Sequence, residues 1–243
     1  MTRGPVMLFD TEHAQLFDQV YTTRGKDYAA EAEILTRLIR DRKPDARSLL
    51  DVACGTGEHL RAFKGLFSDV AGLDFTPAMR EQAAAKLPGT PIHAGDMSDF
   101  ELGRTFDAVV CLMSSINFLP LSRMRAAVAR MAGHLAPGGV LVVEPWYLPE
   151  KIRDRTVIGD VVQVGDGVTI ARVSHGLRRD GRHHLDTHFI VADAGGIRHF
   201  SDVQVLGIFT REEYESAFAE AGCEVEYDGH GLSGRGLLVA VRR

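Results

Sequence analysis

The segment Asp51-Val-Ala-Cys-Gly-Thr-Gly57 opens on an acid and carries glycines at alternate positions, overlapping the end of the apolar run Ser48 to Ala53. A buried strand that ends in small residues lets backbone approach a ligand and lets the next helix pack close. Glu58 to Phe67 reads as that helix. The chemistry expected at such a strand, glycine turn and helix is recognition of a nucleotide. The dinucleotide fingerprint spaces its glycines one and three apart, so with Ala53 and Gly55 in its first two places the third falls on Glu58 and the match fails. Two further acids arrive in register. Asp74 closes the next strand about 20 residues on, where a carboxylate accepts ribose hydroxyls, and Asp96 follows the strand after that. Any one of these acids alone reads as a solvated strand end or a helix cap; three in order point to a nucleoside site.

The elements that must position these residues follow from periodicity. From Tyr28 to Arg40 apolar residues recur at three and four, the helical spacing, until Lys43-Pro44-Asp45 stops the run. Val70 to Leu73, Pro91 to His93, Phe106 to Met113 and Val140 to Val143 read as strands. Helices lie between them, from Pro77 to Lys86 with Thr76 as N-cap, and from Leu121 to Leu135. Strands alternating with helices imply a doubly wound sheet with ligands at the carboxyl ends of its strands. After Trp146 the texture changes: Val161 to Val164, Val168 to Leu177, His184 to Val191 and Val203 to Phe209 are β-rich and separated by Gly-Asp and Asp-Gly turns, which predicts an antiparallel sheet. Thr210 and Glu213 form a capping box opening a helix over Arg211 to Ala221, ended by Gly222. Glu224 to Tyr227 and Gly236 to Val241 then predict an antiparallel edge hairpin on the main sheet. The expected fold is α/β and Rossmann-like, a seven-stranded, mostly parallel sheet with an antiparallel β insertion after the fifth strand. The expected organisation is a core of residues 1–146 plus 210–243, its N-terminal helices acting as a lid, and an insertion of 147–209 for substrate binding or dimerisation.

Composition narrows the partners. Twenty-eight basic against 33 acidic side chains give a net charge of -5, which does not favour a phosphate backbone, so no nucleic acid is expected. No apolar run reaches the roughly 20 residues that span a bilayer, so no membrane partner is expected. Cys54, Cys111 and Cys223 are odd in number and widely spaced, with no signal-peptide pattern, and are expected to be reduced thiols in a cytoplasmic protein.

An acid, two residues and then alternate glycines is the pattern of S-adenosylmethionine enzymes, and the chain resembles the class I methyltransferases. Asp51 to His59 stands as the first motif, Gly72-Leu-Asp-Phe75 as the second and Gly95-Asp-Met97 as the third. A narrower resemblance spans nearly the whole chain. Arg24-Gly-Lys-Asp-Tyr28, Met113-Ser-Ser-Ile116, Val143-Glu-Pro-Trp146, Ala171-Arg-Val-Ser-His175, Arg198-His-Phe-Ser201 and Leu232-Ser-Gly-Arg-Gly236 look like the N,N-dimethyltransferases of TDP-linked deoxyaminosugars. The resemblance implies S-adenosyl-L-methionine as cofactor, held by Tyr28, Asp51, Ala53, Gly55, Gly57, Asp74, Phe75, Asp96, Met97 and Met113. It implies a TDP-aminosugar as substrate, near Trp146, Tyr147, Arg172, Ser174, His175, Arg178, Ser233 and Arg235, and a homodimer in antibiotic deoxysugar biosynthesis.

Methyl transfer from a sulfonium needs an unprotonated amine held in line at roughly 3 Å, so orientation supplies most of the rate and no catalytic base is assigned. The nucleotide end needs cations, and Arg235, flanked by small residues, is the candidate to grip a pyrophosphate, with Ser233 adding a donor. Arg172 and Arg178 also read as ordinary solvated strand residues. His184, Asp186 and His188 share a strand face and resemble a ligand set, but Leu185, Phe189 and Val191 mark the core side, so no metal is expected. Three positions depart from the family: Phe9 and Phe118 replace polar rings, and Trp146-Tyr147 replaces a Trp-Trp pair, which leaves open which sugar binds and whether its amine is at carbon 3 or carbon 4. An adenine-directed nucleic-acid methyltransferase is disfavoured because Cys111-Leu-Met-Ser-Ser115 stands where that class carries its Pro-Pro-aromatic run. Methylation of another small amine or hydroxyl, or a non-catalytic cofactor-binding regulator, remain as alternatives.

Overall fold

A computed structural model describes residues 11–243. The chain begins with α1 (Thr11–Thr23) and α2 (Tyr28–Arg40), the second capped by Asp27, whose carboxylate accepts from the Ala30 N–H at 3.0 Å. Strands and helices then alternate: β1 (Ser48–Val52), α3 (Glu58–Phe63), β2 (Asp69–Asp74), α4 (Pro77–Lys86), β3 (Ile92–Ala94), β4 (Phe106–Cys111), a 3-10 turn over Ser115–Phe118, α5 (Leu121–Gly133) and β5 (Leu135–Val143). Four long strands follow, β6 (Thr156–Val164), β7 (Val168–Arg179), β8 (Arg182–Asp193) and β9 (Gly196–Gly207), and then α6 (Arg211–Glu220), β10 (Cys223–Asp228) and β11 (Leu237–Arg242).

The seven-stranded sheet has the order β10-β11-β5-β4-β1-β2-β3, and its strands run parallel except for β11, which is antiparallel to both of its neighbours, β5 and β10. Its central strands are apolar on both faces because helices cover both, and two buried clusters, one around Leu50, Phe106 and Met131 and the other around Leu49, Phe63 and Val142, fill the two sides. The order reverses at β1, which pairs with β2 on one side and β4 on the other. The crevice at the carboxyl ends of β1 and β4 is therefore where a ligand belongs.

Several boundaries differ from the sequence reading, most of all the starts of β6 at Thr156 rather than Val161 and of β9 at Gly196 rather than Val203. Helix α3 stops at Phe63 rather than Phe67, because Gly65 and Leu66 turn tightly, their N–H groups donating to the Ala62 and Phe63 carbonyls. Strand β5 begins at Leu135 rather than Val140; Leu135 already pairs with Phe106, and a register irregularity absorbs Pro137-Gly138 before Val140 pairs with Ala108. The capping box at Thr210 and Glu213 is present in full.

Strands β6-β7-β8-β9 form a separate antiparallel sheet. Its register aligns Ile158, Ser174, Thr187 and Asp202 in one row across the inner face, and Thr156, Gly176, Leu185 and Gln204 in the next. Helix α1 ties the two sheets together. Asp18 accepts from the Thr56 hydroxyl and pairs with Lys86 in the parallel-sheet unit, while Arg24 pairs with Asp160 of β6 at 2.8 Å. Among the described residues no helix is long and apolar enough to cross a membrane.

Candidate functional site

The ends of β1 and β4 open into a cavity of about 470 Å³, and the residues expected to hold a cofactor gather there: Tyr28, Asp51, Ala53, Gly55, Asp74, Phe75, Asp96, Met97 and Met113 all line it. Gly57 does not. It caps α3 in a left-handed conformation, and a Cβ there would sit 3.1 Å from both Ala83 Cβ and Leu87 Cδ1, so its task is to let α3 pack on α4. Backbone strain concentrates at the same place: Ala53, Met113 and Ser114 have φ of 59°, 52° and 60° without being glycine. Such residues cost about 1–3 kcal/mol each and persist where surrounding structure over-determines them, commonly at ligand sites.

Of the four carboxylates that line this cavity, Asp51, Glu58, Asp74 and Asp96, the three aspartates are in different states. Asp51 is 2% exposed, and burial together with the nearby Asp74 pushes its pKa well above the usual carboxylate range. Burial also raises Asp74, although its oxygens accept from the Thr76 and Gly55 N–H groups at 2.8 Å each. Asp96 is more open. Burial works against its charge, but bonds from Ser98 and Arg123 outweigh that and hold it below the usual range. The Tyr28 hydroxyl is buried in the lining without a partner among the described residues. An orphaned donor and a buried carboxylate that is costly to ionise, both in one lining, fit a ligand bringing both hydroxyls and a positive charge.

A second cavity of about 520 Å³ lies between the inner face of the antiparallel sheet, α1 and the segment after β5. Of the residues expected near a substrate, Trp146, Tyr147, Arg172, Ser174 and Arg235 line it. His175, Arg178 and Ser233 do not. His175 alternates with Ser174 on β7 and is exposed on the outer face. Arg178, at the end of β7, is held outside by Asp154, which accepts from its backbone N–H at 2.7 Å. The Ser233 hydroxyl donates to buried Glu144 at 2.6 Å instead of facing the cavity. Phe118 lines the first cavity rather than this one, and Phe9 lies outside the described residues.

Sequence reasoning overlooked several lining residues: Tyr21, Arg24, Lys151, Arg153, His183, Thr187, Asp202 and Gln204. Five cations therefore surround this cavity, Arg24, Lys151, Arg153, Arg172 and Arg235, an arrangement suited to a polyanion. The Arg235 guanidinium lies 4.9 Å from the Trp146 ring centroid and 5.9 Å from that of Tyr147. It is 3.9 Å from Glu144, and its buried Nε has no partner among the described residues. The Trp146 ring N–H donates to His183 Nδ1 at 3.1 Å, which places the His183 proton on Nε2; burial and the Arg178 charge lower its pKa and keep the ring neutral. Nε2 is then a buried donor without a partner among the described residues. Gly176 makes room for it, since a Cβ there would meet the Thr156 hydroxyl and His183 Nε2. The two cavities share Tyr21 of α1 and Gln204 of β9.

Buried Asn117 locks the hinge between the sheets. Its amide oxygen accepts from the Trp146 N–H at 2.8 Å and the Tyr214 hydroxyl at 3.0 Å, and its amide nitrogen donates to the Gly207 carbonyl at 2.8 Å. Asn117→Ala is expected to lower the unfolding free energy by about 2 kcal/mol, because it strands buried groups on three elements. A denaturant titration with an unshifted midpoint would show that the hub carries no stability.

A methyltransferase-domain family model matches residues 49–139. The chain is 51% identical over 236 residues to the dTDP-3-amino-3,4,6-trideoxy-alpha-D-glucopyranose N,N-dimethyltransferase of Streptomyces venezuelae, covering 96% of this chain and 99% of the relative. It is 42% identical over 236 residues to the dTDP-4-amino-2,3,4,6-tetradeoxy-D-glucose N,N-dimethyltransferase of Saccharopolyspora spinosa, covering 97% and 94%. Among solved structures, SAM-bound CalS10, an amino pentose methyltransferase from Micromonospora echinaspora involved in calicheamicin biosynthesis, superposes with a TM-score of 0.89 at 48% identity, over 99% of this chain and 100% of that one.

Proposed function

Because this chain belongs to the S-adenosylmethionine-dependent N,N-dimethyltransferases of dTDP-linked amino sugars, we propose that it methylates the amino group of a dTDP-linked amino-deoxyhexose in antibiotic deoxysugar biosynthesis. The observation that carries this reading is the pair of adjoining cavities, one at the switch point of the parallel sheet and one ringed by five cations, meeting at Tyr21 and Gln204.

When bound, S-adenosylmethionine supplies an activated methyl group. In the reading proposed, Asp51 takes the ammonium of its methionine moiety, Asp74 and the orphaned Tyr28 hydroxyl take polar groups of the nucleoside, and Asp96 with Met97 frames the adenine. Arg235, fixed against Trp146 and Tyr147, grips the diphosphate together with Arg172, while the sugar reaches toward Tyr21 and Gln204. Proximity and orientation then supply most of the rate.

The same reading makes residues 1–146 with 210–243 the cofactor unit and 147–209 the substrate and assembly unit. The outer face of the antiparallel sheet exposes Val157, Val161, Val173, Ile190, Ile197 and Val203, each about half exposed or more, and is the surface proposed for pairing two copies. A solution mass of one chain, 26.6 kDa, would refute the dimer. Three buried free cysteines accord with a cytoplasmic location.

Calorimetric titration tests the substrate class. S-adenosylhomocysteine is expected to bind, followed by dTDP more tightly than dTMP, since the cationic cavity rewards the second phosphate. Cofactor binding without dTDP binding would keep a methyltransferase but move its substrate to another small amine or hydroxyl.

A further inference from the structure

We propose that Asp202 is the carboxylate that receives the substrate's amino group where the two cavities meet, an assignment that rests on the amino-sugar reading above. Asp202 lies on the inner face of β9, paired with Thr187, and is only 4% exposed. Among the described residues that line the substrate cavity it is the one acid. Its Oδ2 accepts from the Gln204 side-chain amide at 2.9 Å, and Gln204 lines both cavities, so the carboxylate stands at the junction.

Its isolation from cations is the decisive feature. Asp160 is shared by Arg24 and Arg172, and Glu144 faces Arg235, so the neighbouring acids are already opposed by arginines. Asp202 has no ion pair among the described residues. A buried carboxylate without a cationic partner is costly, and the cost is relieved when a cation binds. The substrate amine is such a cation until it loses a proton, and becomes one again after each methyl transfer.

The other titratable groups in this cavity fit the base's role less well. Arg24 and Arg172 are paired with Asp160, and His183 carries its proton on Nε2 because Nδ1 already accepts from Trp146. The step balances as follows. The ammonium gives one proton to the Asp202 carboxylate, the freed nitrogen lone pair forms the N–CH₃ bond, and the S–CH₃ bond breaks with its electron pair left on sulfur. The product is a methylated ammonium, and Asp202 returns its proton to water before the second transfer.

The test uses the full chain with a dTDP-amino sugar that the wild-type protein methylates. Asp202→Asn is expected to lower the initial rate at pH 7 by about a hundredfold, the scale of a lost general base, and to recover as pH rises toward the pKa of the free amine. Affinities for dTDP and S-adenosylhomocysteine should stay within about twofold, because neither probe carries the sugar amine, whereas a role in folding alone would shift them and give no recovery with pH. A wild-type rate at pH 7 would overturn the proposal. The wild-type protein supplies an independent reading should the variant not fold: at pH 6 the amino sugar nucleotide should bind at least about tenfold more tightly than its hydroxyl counterpart, and equal affinity would overturn the assignment. If the wild-type chain methylates no dTDP-amino sugar, the amino-sugar reading fails; if it does and Asp202→Asn is unimpaired, only the Asp202 assignment fails.

Discussion

Asp51→Asn is expected to weaken S-adenosylhomocysteine binding by about a hundredfold or more while raising the thermal stability of the unliganded protein. The two effects share one cause. Asp51 sits near the end of a strand buried from Leu49 to Val52, with Asp74 close by, so its ionised form is held at high cost and its pKa lies well above the ordinary range. For a carboxyl whose folded pKa is raised, the contribution to stability is fully present below the unfolded pKa of about 3.9 and is lost as pH rises through the folded value. At neutral pH an amide in its place removes that penalty. The ligand ammonium reverses the balance, because a carboxylate with a buried cation beside it recovers its charge. Truncating one member of such a pair costs about 2–5 kcal/mol. Wild-type affinity should therefore fall as pH drops through the Asp51 pKa, and the variant should be flat over the same window. Calorimetry across pH and a thermal melt check both halves; unchanged affinity would remove Asp51 from the cofactor site.

Arg235→Ala is expected to raise KM for the nucleotide sugar by about ten- to a hundredfold with S-adenosylhomocysteine affinity unchanged. A charged hydrogen bond contributes about 1.5–3 kcal/mol, and this guanidinium is held in place by two aromatic rings with its Nε unpartnered among the described residues. Its loss does not orphan Glu144, which keeps the Met113 N–H at 2.8 Å and the Ser233 hydroxyl at 2.6 Å, so the cofactor side should not feel the change. Arg235→Lys should restore only part of the affinity, since an ammonium keeps the charge but lacks the planar fork. Steady-state kinetics decides the matter: an unaltered KM would take Arg235 out of the substrate site.

The parallel half of the fold was legible because its signals are local. Buried strands ending in Gly or Asp, Pro77 at a helix start and the Thr210-Glu213 box each act within a few residues, and the carboxyl ends of successive strands bring Asp51, Asp74 and Asp96 to one cavity. Gly57 was misread because a close helix contact and a close ligand contact ask for the same residue. The substrate cavity was harder to read. Strand alternation already showed that Leu185 and Phe189 face inward, which makes His183 and Thr187 inward as well, yet the outward row of His184, Asp186 and His188 drew attention through its resemblance to a ligand set. The same alternation places His175 outside and Ser174 inside. Lys151 and Arg153 lie in a connection without periodicity, and Lys151 is brought to the cavity by bonds to the Gly229 and Gly234 carbonyls, 78 and 83 residues away in sequence. No local pattern encodes that. Asp202 and Gln204 became informative only once the register of β9 placed them between the two cavities.

The position of the amine follows from neither identity nor cavity shape, since relatives acting on 3-amino and 4-amino sugars both align over nearly the whole chain. The most direct measurement of the central claim is therefore methyl transfer itself. The purified chain, S-adenosylmethionine and dTDP-linked 3-amino and 4-amino deoxyhexoses would be incubated separately and the nucleotide sugars weighed by mass spectrometry. The account predicts that at least one of them gains two methyl groups on nitrogen, with S-adenosylhomocysteine formed in proportion. Binding of S-adenosylhomocysteine with no methyl appearing on either amine would contradict it.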